Sequence, residues 1–598
     1  MKTRVEIDKK YKIDLKDLFK NDEEFLKEVD HLNKKIEEFE KFQGHLLDDD
    51  KTLLEFLKLD DEISAKLEVC YVYAHLNNDF DLGEKRSNEF FGKAVKLYNK
   101  YSTNISYVIP ELLQNDYKII EKFINENKDL KQYERMLKNI FKEKNHFLSK
   151  EEERVLSVIN DSFRTPENAY SKLLDADLTF ESIKDENGKK VELTSSNWAK
   201  YLESKNRNVR KNAFKKFYKS YINIRNTTTE LLASEVKNNN NMAKLRKYDS
   251  ALSASLESND VNPQIYNSLI NHIHNNLKKT YKYWDLRKKI LGVSNLHIYD
   301  TYVPMVDANE KEYSFEEAKE LVLNALSILG DDYTKVLNEA FDNNWIDVFP
   351  TKNKRSGGYC TAVYNSHPYV FLNFDNRYGE VSTIAHELGH AMHSYYSIKN
   401  NNYVDYSYSI FVAEVASQVN EIILSDYMIK ISKDKQEKLF VLDELLKRFK
   451  ASVIRQAMFA EFEKEIHEKE QNGVVLTSEY LNDLYYKLNK LYFGPSVEID
   501  KEIAFEWERI PHFFYNFYVY QYSTGYIAAL KISKDIINKK ENALENYLKF
   551  LSLGCTMDPV SELKVAGVDL TKDEVYNEAF EEFEKEIEEF EKIYKGSE

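Results

Sequence analysis

The scarcity of glycine and proline is the feature that most constrains how this chain can fold. Its 598 residues include only 16 glycines and 9 prolines, well below the roughly 7% and 5% of an average protein. An all-β sandwich needs both residues at its turns, whereas long helices exclude them from their interiors. Apolar residues make up 42% of the chain, which is enough for a substantial core. The sequence therefore predicts a mainly α-helical protein.

Charge and cysteine usage narrow the class of protein further. The chain has 85 basic and 101 acidic residues, a net charge of −16, and no concentrated basic stripe. Such a chain is a poor binder of nucleic acid. Its cysteines, Cys70, Cys360 and Cys555, are too widely separated for a disulfide framework or a zinc finger. We therefore expect a reduced, cytoplasmic protein.

Two segments bear on the question of membrane insertion. Residues 1–15 lack the continuous apolar stretch of a signal peptide. Residues 510–530 are long enough to span a bilayer, but they include His512, Asn516 and Gln521 as well as five tyrosines. A lone helix facing lipid would leave these polar groups unsatisfied. We interpret residues 510–530 as a buried helix and expect no membrane association.

The chain divides where the helical pattern is interrupted. Residues 179–194 form two alternating stretches around Asn187-Gly188, a strong hairpin signal. This marker predicts an N-terminal helical domain over residues 1–200 and a second domain over residues 201–598. Residues 356–374 form a second β-like region. No linker rich in glycine, serine or proline separates the parts.

Residues 380–396 have the pattern of a metal-binding helix. His386 and His390 lie one turn apart on the same side, so both imidazoles can bind one metal ion. Glu387 can act as a general base on a water at the open position, as in the motif H-E-x-x-H. The alternative is a surface helix with two solvated histidines. The apolar residues that recur at helical spacing and predict its buried face are Val381, Ile384, Leu388, Ala391, Met392 and Tyr395.

A catalytic zinc site needs a third protein ligand, and Glu414 is the candidate. It emerges from an apolar helical pattern, where an unpaired carboxylate is costly. His393 is a rival, although three ligands from one helix would strain a tetrahedral site. Glu421 either accepts the second ring N–H of a ligand histidine or is an ordinary surface acid. The apolar positions of this second helix are Val412, Val415, Val419, Ile422 and Ile423.

Residues 507–526 place polar donors inside an apolar segment. Pro511 suits the first turn of a helix. Donors on such a helix are explained if they point at a developing oxyanion. The predicted face consists of His512, Tyr515, Val519 and Tyr522. The neighbouring Tyr518, Tyr520 and Tyr526 are interpreted as packing residues.

Together these segments resemble the M3 family of zinc metallopeptidases, in its oligoendopeptidase F branch. The resemblance rests on HELGHAMH at residues 386–393, FVAEVASQVNE at 411–421 and RIPHFFYNFYVYQYSTG at 509–525. It extends to SGGYC at residues 356–360. It implies a mainly α, two-lobed zincin-type fold with a deep central channel and a small β element near the active site. Residues 201–598 would then be the catalytic domain.

The resemblance also implies a role for each motif residue. One Zn²⁺ per chain would be bound by His386, His390 and Glu414, and Glu387 would be the catalytic carboxylate. The residues implied to bind substrate and stabilise the transition state are His512, Tyr515 and Tyr522. The residues implied to contact the peptide backbone are Gly357, Gly358, Tyr359 and Tyr369. The expected activity is hydrolysis of internal bonds in short peptides. Two alternatives stay open, namely a zinc exopeptidase and a helical peptide-binding protein without catalysis.

Overall fold

The computed structural model describes residues 2–307 and 311–596, apart from the side chain of Lys150. The described residues exclude Met1, at the start of the predicted first domain, and residues 597–598, at the end of the predicted second domain. The chain is 71% helical, which confirms the mainly α fold class. The helices of the first half are α1 (Asp22–Lys35), α2 (Asp50–Phe80), α3 (Lys85–Asn104), α4 (Val108–Leu113), α5 (Tyr117–Glu126), α6 (Glu134–Lys142), α7 (Lys150–Phe163), α8 (Thr165–Lys172), α9 (Trp198–Leu202), α10 (Arg207–Leu245), α11 (Ala251–Glu257) and α12 (Gln264–Ile290).

The second half of the chain is also mainly helical. Its helices are α13 (Phe315–Leu326), α14 (Asp331–Asp342), α15 (Tyr378–Asn400), α16 (Ile410–Ile431), α17 (Lys435–Phe449), α18 (Arg455–Gln471), α19 (Ser478–Phe493), α20 (Tyr520–Ile537), α21 (Ala543–Leu551), α22 (Pro559–Val565) and α23 (Asp573–Lys595). A π-helical turn, Lys450–Ile454, joins α17 to α18. Two 3₁₀ segments, Lys501–Arg509 and Pro511–Phe514, precede α20.

The strands are short and form small sheets. The hairpin predicted around Gly188 is present, with β1 pairing antiparallel to β2, and Gly188 adopts a φ of 77°. β3 pairs parallel with β7. In the three-stranded sheet, β6 lies between a parallel β4 and an antiparallel β5. The strands are β1 (Ser182–Lys184), β2 (Lys190–Glu192), β3 (Leu296–His297), β4 (Ile346–Asp347), β5 (Tyr359–Thr361), β6 (Tyr369–Phe371) and β7 (Val497–Glu498).

The chain forms two compact units, each made of three separate stretches of sequence. The first unit comprises Met1–Phe147, Glu310–Tyr427 and Ile532–Val568, and the second comprises the stretches between and after them. Residue 200 lies inside the second unit, so the hairpin does not mark a boundary of these units. The division into domains at residue 200 stays a prediction.

The first unit has an apolar core built from its N-terminal helices. Phe25, Leu32, Phe39, Ile63 and Leu130 are among its fully buried members. α2 begins at an Asp49 cap, whose carboxylate accepts a hydrogen bond from the Thr52 N–H. A smaller apolar cluster joins α2 to the three-stranded sheet, with Leu76 on the helix and Phe371 on β6 both buried. The sheet and α15 are therefore anchored in the same unit.

The second unit has its own aromatic core. α23 buries one face, as its apolar spacing predicts, with Tyr576, Phe580 and Phe583 all inaccessible to solvent. Phe449 of α17 stacks on Phe583 with ring centroids 4.3 Å apart. In the part of the chain that the structure describes, no helix has the length and apolarity needed to cross a bilayer.

Candidate metal centre and active site

α15 and α16 carry the predicted metal ligands, and both form as the apolar spacing predicts. Tyr395 is only partly buried, unlike the other predicted apolar residues of α15. The predicted apolar residues that are buried are Val381, Ile384, Leu388, Ala391 and Met392 on α15 and Val412, Val415, Val419, Ile422 and Ile423 on α16.

The two helices approach each other at Gly389. A Cβ atom built on Gly389 would lie 2.5 Å from Ser417 Cα and 2.6 Å from the Ala416 carbonyl oxygen. No side chain larger than hydrogen fits such a distance. One turn away, the buried Asn420 amide donates a hydrogen bond to the Ala385 carbonyl at 3.0 Å and accepts one from the Tyr333 hydroxyl at 3.0 Å. The spacing and rotation of α15 and α16 are therefore fixed beside the ligand residues.

His386, His390 and Glu414 bring three ligand atoms together, and this set is the candidate metal centre. The two Nε2 atoms lie 3.2 Å apart. Glu414 Oε2 lies 3.3 Å from Nε2 of His386 and 3.5 Å from Nε2 of His390. Ligands at about 2.0–2.1 Å from a tetrahedral ion are separated by about 3.3 Å. The three atoms thus match one face of a tetrahedral coordination shell.

Further groups hold these ligands in place. Glu421 Oε2 lies 3.4 Å from Nδ1 of His386, on the ring side opposite the candidate metal centre. Ser382 donates a hydrogen bond to Glu421 at 3.0 Å, and Ser417 donates one to Glu414 at 2.9 Å. Burial opposes ionisation of Glu414, but hydrogen bonding and charge from His390 lower its pKa to about 2. The arrangement keeps Glu414 as a carboxylate with its oxygen directed at both rings.

Glu387 lies next to the candidate metal centre and is only 7% exposed. Burial raises the pKa of its carboxyl group, although the neighbouring His386 opposes this shift. A Cβ on Gly358 would lie 3.5 Å from Glu387 Oε1 and 3.3 Å from the Phe371 carbonyl oxygen. The glycine-rich segment before β5 therefore borders Glu387, as the resemblance implies for a peptide-contacting strand.

His393, the rival third ligand, has a packing role. Its ring stacks on Tyr408 with centroids 3.7 Å apart and lies 5.2 Å from Phe550. Burial lowers the pKa of His393 to about 3, so the ring is neutral. It is not part of the candidate metal centre.

The four predicted peptide-contacting residues are placed differently from one another. Gly357 and Gly358 form the turn before β5, where Asn373 donates a hydrogen bond to the Gly357 carbonyl at 2.7 Å. Tyr359 is half-buried on β5, an edge strand, and its hydroxyl donates to Asp79 at 2.8 Å. Tyr369 is fully buried and lies on the central strand β6. The Tyr369 side chain is therefore not accessible from solvent.

The prediction of one continuous helix from Pro511 is wrong. The chain forms a 3₁₀ turn at Pro511–Phe514, leaves helical geometry, and resumes as α20 only at Tyr520. Asn516 and Phe517 have φ angles of 43° and 61°. Such left-handed values are uncommon for residues other than glycine, and for a bulky phenylalanine they are strained. Nothing in the local sequence indicates this break.

Two residues outside the segment hold the break in place. The Phe517 N–H donates to Glu463 Oε1 at 2.6 Å, and the Ser255 hydroxyl donates to the Asn516 carbonyl at 2.7 Å. Glu463 is fully buried, and burial raises its pKa to about 8. At neutral pH its carboxyl group is therefore mostly protonated while it supports the strained turn.

The break gathers the predicted donors around His512. Ring centroids of Tyr515 and Tyr522 lie 5.5 and 6.0 Å from that of His512. Tyr518, which the sequence interpretation assigned to packing, also belongs to this cluster, 6.4 Å from His512 and 5.4 Å from Tyr522. Burial lowers the pKa of His512, which favours its neutral form. Tyr520 and Tyr526 are buried, as expected of packing residues.

Comparison with known proteins places the chain in a family. Residues 200–582 match the model of Peptidase family M3, and residues 111–180 match the Oligopeptidase F model. The chain belongs to peptidase family M3 and is therefore a peptidase.

Individual relatives agree with this assignment over nearly the full length. The chain is 40% identical to Oligopeptidase PepF of Bacillus subtilis, over 97% of this chain and 86% of that protein. It is 37% identical to an Oligoendopeptidase F homolog of Lactococcus lactis, over 99% of this chain and 98% of that protein. The crystal structure of oligoendopeptidase-F from Enterococcus faecium superposes with a TM-score of 0.74 at 35% identity, covering 96% and 99% of the two chains. The resemblance to the oligoendopeptidase F branch is confirmed.

Replacing Gly389 with alanine should disturb the candidate metal centre. The added methyl group would collide with the α16 backbone, so the two helices must separate and carry Glu414 away from the histidines. We expect Gly389→Ala to weaken divalent metal binding about tenfold or more and to lower the melting temperature. Chelator competition and thermal unfolding measure these effects. Gly379→Ala, on the first turn of α15 with nothing within 4 Å of the new Cβ, is the matched control. Equal metal affinity in both variants would contradict the close approach.

Replacing Glu463 with glutamine should change how stability depends on pH. The folded carboxyl group titrates near pH 8, whereas its ordinary pKa is 4.5. Between these values the unfolded chain releases the proton and the folded chain keeps it, so wild-type stability falls as pH rises. Glutamine does not titrate. We therefore expect the melting temperature of Glu463→Gln, relative to wild type, to increase from pH 5 to pH 8.

The exposed Glu468 on the same helix provides the control for this experiment. The melting temperature of Glu468→Gln should change with pH as that of the wild type does. A constant offset between wild type and Glu463→Gln would mean that Glu463 is ionised in the folded protein throughout.

Proposed function

We propose that this protein is a zinc-dependent endopeptidase that hydrolyses internal peptide bonds of short oligopeptides. Membership of peptidase family M3 supports peptide-bond hydrolysis, and the names of the relatives support oligopeptides as substrates. The observation that carries the proposal is the convergence of His386, His390 and Glu414 beside the buried Glu387.

The ligand set suits zinc. Two neutral imidazoles and one carboxylate are a known catalytic zinc set, and they leave a fourth position for water or substrate. The 3.2–3.5 Å separations of their donor atoms match tetrahedral bonds of zinc length. When bound, the ion supplies Lewis-acid polarisation of the scissile carbonyl and makes a water molecule more acidic.

Residues of the chain itself accept, deliver and position the protons in this reaction. Glu387 accepts a proton from the attacking water and delivers it to the leaving amine. Its burial supports this role, because a raised pKa makes the carboxylate a better proton acceptor near neutral pH. Glu421 accepts from the Nδ1–H of His386 and so keeps Nε2 of that ring available as a ligand.

The remaining residue roles concern binding of the peptide and of the developing oxyanion. His512, Tyr515 and Tyr522 are proposed to donate hydrogen bonds to the developing oxyanion, and their clustering around His512 supports this. Gly357, Gly358 and Tyr359 are proposed to contact the peptide backbone, because they lead into an edge strand that borders Glu387.

Location and domain organisation are part of the same proposal. Cys70, Cys360 and Cys555 are all unpaired, which supports a reducing compartment such as the cytoplasm. The family match beginning at residue 200 supports residues 201–598 as the catalytic domain.

A peptide blocked at both ends tests the activity. We expect the purified protein to cleave an internally quenched, N-acetylated and C-amidated peptide, to lose this activity on chelation, and to recover it with stoichiometric zinc. An exopeptidase would leave a blocked peptide intact and cleave its unblocked counterpart. A binding protein without catalysis would bind the peptide and leave both forms intact.

Glu387→Gln separates catalysis from metal binding. Glutamine keeps the shape of the side chain but cannot accept the proton, so we expect turnover to fall by roughly 10²–10⁴. Zinc content, measured by elemental analysis, should stay at one per chain. Wild-type turnover in this variant would refute the general-base role, and loss of zinc would show that Glu387 acts on the metal instead.

A further inference from the structure

The second unit contains a cavity lined by none of the residues proposed to act in peptide hydrolysis. Its volume is about 230 Å³. Its walls include Trp284 of α12 and Phe493 of α19, whose rings stack with centroids 4.9 Å apart, together with Tyr302 and Met458. All of these residues belong to the second unit, whereas the candidate metal centre belongs to the first. The apolar walls suit a ligand with an apolar body.

Lys450 brings an amine without a direct ion-pair partner to this cavity. It occupies the first position of the π-helical turn between α17 and α18, a geometry that occurs frequently at functional sites. Among the described residues its Nζ atom has no hydrogen bond or ion pair, and its closest ring contact is Tyr302 at 5.8 Å. The acids nearest in sequence, Asp443 and Glu444, are each bound by Lys447 at 2.9 Å.

The other charged wall residues add to the positive potential. Arg455 and Arg509 share a single carboxylate, Glu506, at 2.7 and 2.8 Å. Glu506 also accepts hydrogen bonds from the hydroxyls of Tyr485 at 2.8 Å and Tyr218 at 3.1 Å. Two guanidinium groups against one carboxylate leave one positive charge in excess beside the Lys450 amine.

Two buried donors without acceptors are a second, independent observation. The indole Nε1–H of Trp284 is buried and has no acceptor among the described residues. The Nε–H of Arg287, whose charge acts on Lys450, is also buried without an acceptor. Burial and the charges of Arg287, Arg455 and Lys447 lower the pKa of Lys450 to about 7. Buried donors without partners are costly, and an anion in the cavity that accepts from Trp284 would relieve this cost at the wall, whereas Arg287 does not line the cavity.

We propose that this cavity binds a small organic carboxylate with an apolar body, whose carboxylate pairs with Lys450 while its body lies against Trp284 and Phe493. Size supports this class of ligand, because an apolar cavity of about 150 Å³ is enough for benzene. The remaining volume corresponds to a carboxylate and a short methylene link. Metal cations are disfavoured by the charge of the walls, and a bare inorganic anion would leave the aromatic walls uncovered.

Phenylacetate is the probe that tests this site on the full-length protein. We expect saturable binding by isothermal titration calorimetry, together with a rise in melting temperature. Acetate carries the charge without the ring, and 2-phenylethanol carries the ring without the charge, so both should bind at least tenfold more weakly. No saturable binding of phenylacetate to the wild type, or equal binding of 2-phenylethanol, would overturn the proposal.

Lys450→Met keeps the length of the side chain and removes its charge. We expect this variant to bind phenylacetate about tenfold or more weakly, the size expected for loss of a hydrogen bond to a charged group. Lys244→Met, at an exposed position of α10 in the same unit, is the matched control and should bind as the wild type does. Wild-type affinity in Lys450→Met would overturn the assignment of the carboxylate to Lys450. Phenylacetate binding to the wild type is measured separately, so the proposal stays testable if this variant does not fold.

Discussion

The close approach of α15 and α16 at Gly389 is the constraint on which the candidate metal centre depends. The two histidines come from one helix and the glutamate from the other, so the distance between helix axes sets whether three ligand atoms can share one ion. A glycine lets the backbones approach closely at that point. The buried Asn420 bridge then fixes the rotation of one helix against the other. The metal site is therefore a property of helix packing as much as of the ligand residues themselves.

Buried carboxylates behave differently within this molecule because their partners differ. Glu414 faces two imidazoles and stays ionised, whereas burial dominates at Glu387 and Glu463 and favours their protonated forms. The same chemical group thus has three roles, as proposed metal ligand at Glu414, as proposed proton carrier at Glu387 and as a neutral hydrogen-bond acceptor at Glu463. Burial alone does not decide among these roles; the charges within a few ångströms do.

The sequence predicted the helices that carry the candidate metal ligands, because helices rest on local periodicity. Spacings of three and four located the buried faces of α15 and α16, and one helical turn brought His386 and His390 together. The break before α20 was not predictable, since the left-handed geometry at Asn516 and Phe517 is supported by Ser255 and Glu463, which are far away in the sequence. Tyr518 was assigned to packing for the same reason, because a continuous helix would direct it away from His512. The burial of Tyr369 depends on strand order, which short strands do not reveal.

The interleaved construction of the two units sets the order in which the molecule can be completed during translation. The first unit takes its last stretch from residues 532–568, and the second ends with α23, so neither can be finished early. At typical rates of 5–20 residues per second, the ribosome needs from roughly 30 to 120 s to deliver these 598 residues. Throughout that interval the emerging polypeptide displays apolar helix faces whose covering segments do not yet exist. Premature termination anywhere before the final helix would leave such faces permanently uncovered and prone to aggregation.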